Sequence, residues 1–268
     1  MPELPEVETV RRQLAPRLEG RPILDAGSHP SAKFTPARDL PGARFGSAAR
    51  RGKYLLLPTD DGRELVVHLG MTGQLRFRAG GPDTANPYLR AWWQLDDEEA
   101  LEFIDVRRFG RLRVVAAGDY SDIPTLHHAG PEPWDPELTP RRFQELLSAS
   151  KRMLKTKLLS QRPIAGVGNI YADEALWMAS INPKVTRLGL ERAGLLLDAL
   201  QVVLAQGVDN GGTTLRDYRN GEGDSGQNQY QLLAYGRAGF PCARCGTKLT
   251  SAVLDGRTTT WCPSCQAR

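Results

Sequence analysis

Four cysteines, all within the last 27 residues, constrain this chain more than any other feature. Cys242-x2-Cys245 is followed, sixteen residues on, by Cys262-x2-Cys265. That spacing fits a four-cysteine zinc ribbon, in which two hairpin turns present four thiolates tetrahedrally and the metal supplies folding energy that so short a segment lacks. Such a site is closed, so the implied Zn2+ is structural, one ion held by Cys242, Cys245, Cys262 and Cys265. Disulfides are the competing use of the same residues, and a cytosolic compartment disfavours them. Pro241-Cys242-x2-Cys245 also matches half of a zinc deaminase signature, but none of His29, His68, His127 or His128 has a glutamate two residues on.

The other end of the chain carries a second constraint. Met1-Pro2-Glu3-Leu4-Pro5-Glu6 places a small residue after the initiator methionine, so the mature chain is expected to begin at Pro2. A free α-amino group has a pKa of about 7.7–8.0, so part of it is unprotonated at neutral pH. A secondary amine of this kind attacks an electrophilic carbon and yields an iminium. Glu3 and Glu6 lie within reach as proton carriers. The same residues also read as a helix start, with acids in the first turn and Val7, Val10 and Leu14 forming an apolar stripe. The two readings are compatible, because a helix would hold its own N-terminus rigidly.

With 268 residues the chain can build one or two cored domains. Mean hydropathy is −0.40 and 25% of residues are charged, as in an ordinary soluble protein. No apolar run approaches a membrane span and no signal-peptide core is visible, which points to the cytoplasm. Net charge is only +4, but the cations cluster. Arg50, Arg51 and Lys53 form one group; Arg107, Arg108, Arg111 and Arg113 a second; Lys151, Arg152, Lys155, Lys157 and Arg162 a third. Several such groups suggest a polyanionic partner.

The fold class read from the sequence is α+β. After a first helix ended by Gly20, residues 22–116 read as short strands, notably Leu55-Leu56-Leu57, Leu65-Val66-Val67, Leu75-Arg76-Phe77, Ala91 to Leu95 and Leu101 to Ile104. Gly, Asp and Pro punctuate them, as at Asp60-Asp61-Gly62 and Asp96-Asp97-Glu98-Glu99, which predicts an antiparallel sandwich or barrel packed on the first helix. Residues 118–138, rich in Pro, Asp and Gly, read as a linker anchored by Trp134. Helices are expected at Pro140–Ala149, Lys151–Leu159, Asn169–Ala179 and Leu188–Gln206. Pro163 to Asn169 contains Gly-x-Gly before a helix, where backbone N–H groups could cradle a phosphate. It is not a dinucleotide fingerprint, and the chain has no P-loop. The polar, glycine-rich stretch 216–230 reads as a mobile flap.

Several separated segments now match one family in order: the Met-Pro-Glu-Leu-Pro-Glu-Val-Glu opening, Gly52-Lys53-Tyr54-Leu55, His68-Leu69-Gly70-Met71-Thr72-Gly73, Asp105-Val106-Arg107-Arg108-Phe109-Gly110, Gly166-Val167-Gly168-Asn169-Ile170-Tyr171, Tyr235-Gly236-Arg237 and the cysteine ribbon. The chain resembles the bacterial formamidopyrimidine-DNA glycosylases, which excise 8-oxoguanine, over essentially its whole length. The resemblance implies a β-sandwich catalytic domain over 1–117, a linker at 118–138, a helix-two-turn-helix domain over 139–234 and a zinc finger over 235–268, with DNA in the cleft between the domains. It implies a glycosylase and AP lyase acting on double-stranded DNA that contains oxidised bases or abasic sites, for which a monomer suffices.

By the same resemblance Pro2 attacks C1′ of a flipped nucleotide, and the iminium then allows β- and δ-elimination. Glu3 carries the proton, with Glu6 in support, and Lys53 acts at the sugar and damaged base. Met71, Arg107 and Phe109 match void-filling residues. Asn169 and Arg257 match phosphate-binding positions, Arg257 standing also with the catalytic set, and Lys155 a contact near the lesion. Arg216, Tyr218, Arg219 and Asn220 fall in the loop that caps the flipped base. Tyr88, with Arg90 two residues on, stands where many members carry a histidine that contacts DNA, and Ser160 stands where aspartate is common. Two other readings compete. An endonuclease VIII-like enzyme would prefer oxidised pyrimidines, although Leu4, Thr213-Thr214 and the long 216–230 loop favour purine lesions. A zinc-ribbon nucleic-acid binder would not cut at all.

Overall fold

The computed structural model describes residues 1–96 and 98–267, so Asp97 of the expected Asp96–Glu99 turn and Arg268 lie outside the described residues. The chain divides into two compact units: residues 1–127 with 210–229, and residues 128–209 with 230–268.

In the first unit, α1 (Leu4–Leu18) is followed by eight strands. They are β1 (Asp25–Ser28), β2 (Ala49–Arg51), β3 (Tyr54–Pro58), β4 (Arg63–His68), β5 (Gly73–Ala79), β6 (Leu89–Gln94), β7 (Glu99–Asp105) and β8 (Arg111–Ala116). They form two antiparallel four-stranded sheets, ordered β1-β6-β7-β5 and β2-β3-β4-β8. Leu55, Leu57, Leu65 and Val67 of one sheet meet Leu75, Ala91, Trp93, Leu101 and Phe103 of the other, and α1 adds Val7, Val10, Leu14 and Leu18 to the same core. The alternation read from the sequence thus places the apolar side chains inward. Trp93, wholly buried, donates its indole N–H to the Ala37 carbonyl at 3.1 Å, so its one polar atom is satisfied inside the core.

The segment read as a linker begins inside this unit. Ile123 and Leu126, on and beside the short α2 (Pro124–His127), pack on Leu56 and Val66 and cover the outer face of the second sheet. Trp134, expected to anchor the linker, is 46% exposed and anchors nothing by burial.

The second unit holds α3 (Pro140–Ser148), α4 (Leu154–Leu159), α5 (Asn169–Met178) and α6 (Leu190–Asp209), followed by the hairpin β9 (Thr250–Leu254) and β10 (Arg257–Trp261). Thr139 caps α3 by accepting the Arg142 N–H at 3.2 Å, and Pro140 fills the first turn. Helix α4 starts three residues later than expected. Its Leu154 and Lys155 N–H groups bond to the Val185 and Pro183 carbonyls, so the chain enters the helix from an extended Met153.

The segment Asn210–Gln229 clusters with the β-sandwich, whereas the sequence division kept it with the helices that flank it. Tyr218 explains this: it is 7% exposed and belongs to the sandwich core, and its hydroxyl lies 3.3 Å from both the Glu6 and Gly211 carbonyls. Burial pushes its phenol well above the usual range, with the Glu6 carboxylate adding to the effect.

Candidate active site and metal centre

The N-terminus is built as the helix start that one of the sequence readings expects. Pro2 is buried, just ahead of α1, and Met1 is half exposed. Glu3 is the N-cap residue in extended conformation, 2% exposed, in a reciprocal capping box with Glu6. Glu6 accepts the Glu3 N–H at 2.8 Å with one oxygen and the Thr213 N–H at 2.7 Å with the other. Glu6 is therefore a buried brace that ties the 213 segment to the start of the helix. The close fit needs glycine next door. Gly212 has φ +86°, and a Cβ there would stand 2.9 Å from both the Glu6 side chain and the Tyr218 ring.

A second link leads from the helix to the hairpin bearing Lys53. Glu8 accepts from Arg11 and Arg12 on its own helix and from Arg50 Nε of β2 at 3.2 Å. Burial alone would raise its carboxyl, but these hydrogen bonds and charges hold it at about 2. The β2–β3 turn is Gly52-Lys53, and Gly52 supplies the positive φ (+55°) that a two-residue hairpin turn needs first. Lys53 is 8% exposed. Burial, together with the charges of Lys53 and Arg111, pushes the His68 imidazole down to about 4, so His68 is neutral at pH 7.

Met71, Arg107 and Phe109 lie on two neighbouring connections. Met71 is half-buried between β4 and β5, and Arg107 and Phe109 are exposed between β7 and β8, the guanidinium 4.9 Å over the ring. Tyr88 is 45% exposed. Arg90 is not: it is 6% exposed, and its guanidinium donates to the Asp105 carbonyl at 2.8 Å and the Pro87 carbonyl at 2.9 Å. The geometry makes it an internal brace, buried where the sequence reading set it among nucleic-acid-binding residues. The 216–230 loop is likewise not a loose flap throughout. Arg216 is exposed and Arg219 and Asn220 are half-buried, while Tyr218 is the buried anchor described above.

In the second unit, Asn169 and Lys155 meet at the backbone of Thr258, the residue that follows Arg257 in β10. Asp255 and Gly256 both have positive φ, +45° and +75°, as a tight hairpin turn demands, and Arg257 follows directly, exposed. Asn169, the first residue of α5, donates to the Thr258 carbonyl at 3.2 Å. Lys155 donates to the same carbonyl at 3.1 Å and pairs with Asp173 at 2.6 Å, both charged side chains being 1% exposed. Asp173 also accepts the Thr260 N–H at 2.9 Å. Burial still outweighs Lys155 and lifts the Asp173 carboxyl to about 6. Lys155 thus braces the hairpin that carries Arg257. Removing one partner of a buried pair strands the other, so Lys155→Met is expected to destabilise the protein by ~3–5 kcal/mol, and Lys155→Met with Asp173→Leu should recover most of that. Urea unfolding measures both. A stable Lys155→Met variant would contradict the bracing role.

The four cysteine thiols are free of disulfides, and their sulfurs all lie within 4.8 Å of one another. Two separations, Cys242–Cys265 at 4.0 Å and Cys245–Cys262 at 3.6 Å, bracket the ~3.8 Å edge of a tetrahedron with Zn–S bonds of about 2.3 Å. They are far from the ~2.0 Å of an S–S bond. The residues fit one structural Zn2+. Around it, Trp177 donates to Cys242 Sγ at 3.4 Å, and Gln266 accepts the Cys262 N–H at 2.7 Å while donating to the Ile181 carbonyl at 2.8 Å. Glu174 accepts three successive N–H groups, from Leu233, Ala234 and Tyr235, at 2.7–2.9 Å, fixing the chain that leads into the ribbon. Glu174 and Asp173 gave no sequence signal, because adjacent acids in a helix ordinarily read as a solvated face.

A sandwich with a buried proline ahead of its first helix, a helical unit and a four-thiolate hairpin together define a class of zinc-finger proteins with an H2TH domain. Three family descriptions match in succession: the formamidopyrimidine-DNA glycosylase N-terminal domain at residues 1–112, its H2TH domain at 129–219, and a zinc finger found in FPG and IleRS at 239–268. The formamidopyrimidine-DNA glycosylase of Deinococcus radiodurans is 43% identical over 281 aligned positions, covering 99% of this chain and 97% of the relative. The crystal structure of the MutM (Fpg) protein from Thermus thermophilus is 44% identical, covers 100% of this chain and 99% of the other, and superposes with a TM-score of 0.91. A Lactococcus lactis Fpg mutant in complex with Fapy-dG containing DNA is 32% identical over 100% of both chains, with a TM-score of 0.90. The wild-type Lactococcus lactis protein in complex with an oxidized pyrimidine containing DNA gives 32% and 0.88 over the same coverage. The chain belongs to the formamidopyrimidine-DNA glycosylase family.

Proposed function

We propose that this chain is a bifunctional DNA glycosylase and AP lyase that excises oxidised purines, 8-oxoguanine and formamidopyrimidines, from duplex DNA in the bacterial cytoplasm. The observation that carries this reading is the N-terminus: Pro2 buried immediately before a capped helix, beside a buried Glu3, in a chain that matches the family along its whole length. No helix among the described residues is long and apolar enough to cross a membrane.

The damaged nucleotide leaves the stack at a cost of a few kcal/mol, which a lesion reduces. With Met1 removed, the unprotonated Pro2 nitrogen attacks C1′, the bond from C1′ to the base breaks, and the base departs with a proton. Glu3 carries the protons for these steps. The deoxyribose ring then opens as the C1′–O4′ bond breaks and O4′ takes a proton. The iminium so formed acidifies the C2′ protons, and β- then δ-elimination expels the 3′ and then the 5′ phosphate, cutting the strand on both sides. Lys53 supplies a positive charge at the sugar and base. Met71, Arg107 and Phe109 fill the space the base vacates, Phe109 and Met71 as apolar wedge and Arg107 as donor to the orphaned partner base. Asn169 and Arg257 hold backbone phosphates, contacts that set register and carry the salt dependence of binding. Tyr88 and the exposed part of the 216–220 segment add contacts at the periphery.

Because relatives bind DNA carrying either kind of oxidised base, binding does not separate the oxidised-purine reading from the oxidised-pyrimidine one, and excision rates do. Single-turnover excision of 8-oxoguanine opposite cytosine is expected to exceed that of thymine glycol by at least about tenfold, the discrimination one well-placed polar contact supplies. Equal rates, or faster release of thymine glycol, would overturn the assignment to oxidised purines.

A further inference from the structure

The connections that carry Met71 and the pair Arg107 and Phe109 are joined by a side-chain lock. Each connection crosses from one sheet to the other, β4 to β5 and β7 to β8, at the same end of the sandwich, where Gly73 pairs with Asp105 and His68 with Arg111. Asp105 is fully buried at the end of β7. One of its oxygens accepts the Thr72 hydroxyl from the first connection, and the other accepts the Gly110 N–H at 2.7 Å from the second. The Thr72 oxygen in turn accepts the Arg107 N–H at 3.0 Å. The hydroxyl of Thr72, on the first connection and 6% exposed, therefore donates to the root of the second connection and accepts from a backbone N–H nearer its tip.

The two backbones also touch. A Cβ on Gly70, whose φ is +67°, would stand 2.4 Å from Gly110 N and 2.5 Å from the Phe109 carbonyl carbon. Arg108 holds a left-handed φ of +56°, and its carbonyl accepts Lys33 Nζ at 2.9 Å. Arg90 braces the Asp105 carbonyl from behind. Strain of this kind persists only where the surroundings fix it, and here they fix the residue between Arg107 and Phe109.

We propose that Thr72 and Asp105 are positioning residues that fuse the two connections into one preassembled wedge, so that Met71, Arg107 and Phe109 enter the duplex as a unit. The proposal rests on the void-filling reading of those three residues. Both side chains are buried, Thr72 6% and Asp105 0% exposed, so their role is through the connections they join. A wedge held rigid before it meets DNA spends none of its contact energy on ordering itself, whereas two independent loops must be ordered at each insertion.

The lock matters only where a stack must be opened. Thr72→Val keeps the volume and removes the hydroxyl, leaving the Arg107 N–H and one Asp105 oxygen unpaired. It is expected to lower 8-oxoguanine excision from duplex DNA about tenfold, the fold-change of losing one hydrogen bond to a charged group. Strand cleavage at an abasic site in single-stranded DNA should stay within about twofold of the parent. Thr72→Ser retains the hydroxyl and should behave as the parent in both assays. In a Phe109→Ala background, Thr72→Val should add less than about twofold, because the wedge it positions is already gone. Equal losses on the two substrates, a Thr72→Ser variant as impaired as Thr72→Val, or losses that multiply in the double variant would each overturn the proposal. A duplex-selective loss in Phe109→Ala without one in Thr72→Val defeats the lock alone. Undiminished duplex excision by Phe109→Ala defeats the wedge reading and the lock together.

Discussion

Replacing Pro2 with glycine is expected to cut base excision from an 8-oxoguanine duplex by well over a hundredfold. Proline brings two things to the position: a secondary amine, and a ring that fixes the direction of the nitrogen lone pair relative to the capped helix behind it. Glycine supplies a primary amine on a backbone free to turn, and a misplacement of about 1 Å at a reacting atom can by itself cost on the order of a hundredfold. Acylating the Pro2 nitrogen should be more severe, since an amide nitrogen has no lone pair to offer. The surroundings keep this test clean, because Glu3, Glu6 and the Thr213 backbone form the cap without any bond from the Pro2 ring. Circular dichroism and melting should therefore match the parent while excision is lost. Retained activity in a folded glycine variant would move the nucleophile elsewhere.

The second large effect concerns the metal. Chelation of zinc, or Cys262→Ser, is expected to unfold the 239–268 hairpin and abolish binding to lesion-containing duplex, while the β-sandwich keeps its cooperative transition. Structural zinc sites of this kind contribute ~10–16 kcal/mol on apparent scales, comparable to the whole ~5–15 kcal/mol stability of a typical domain. The hairpin has little of its own to fall back on: Leu249, Cys242 and Cys262 pack with Ala234 and Trp177 in a small cluster. What is lost with it is the turn at Asp255-Gly256 and the Arg257 that follows, so the loss of binding is expected through the proposed Arg257 phosphate contact and through the carbonyl that Asn169 donates to. Metal analysis against binding at matched protein concentration reads this directly. Binding that survives with less than about a tenth of the zinc present would contradict a structural role.

Most of the architecture was legible in the sequence because it follows from local patterns. The cysteine ribbon needs four thiolates at short fixed spacings, and nothing else in the chain could supply them. The strands at Leu55–Leu57, Leu65–Val67 and Leu101–Ile104 announce themselves by apolar runs between turns, and each lies inside an observed strand. What stayed hidden was short or long-range. Strands β1 and β2, Asp25-Ala-Gly-Ser and Ala49-Arg-Arg, carry almost no apolar signal and form by pairing to a neighbour. Asn210–Gln229 reads as part of the helical half, yet Tyr218 and the Thr213 N–H attach it to α1, contacts that span more than 200 positions.

The site residues divide along the same line. Pro2, Glu3 and the cysteines follow from the chemistry that their positions permit. Arg90 and Lys155 look like surface cations on composition, but a sequence does not show that a carbonyl or an aspartate awaits each of them inside the fold. Thr72 and Asp105 sit in plain view within the segments that carry Met71 and Phe109. Their importance is invisible without the register that places Gly73 opposite Asp105.

The account turns on a bond between the Pro2 nitrogen and a deoxyribose carbon, and borohydride reduction captures that bond if it forms. Incubating the protein with an 8-oxoguanine duplex in the presence of borohydride, then digesting and mapping the cross-linked peptide, should place the DNA on a peptide beginning at Pro2, with Met1 absent. A robust adduct mapped to Lys53 or any other lysine, or excision at full rate with no trapped species, would contradict it.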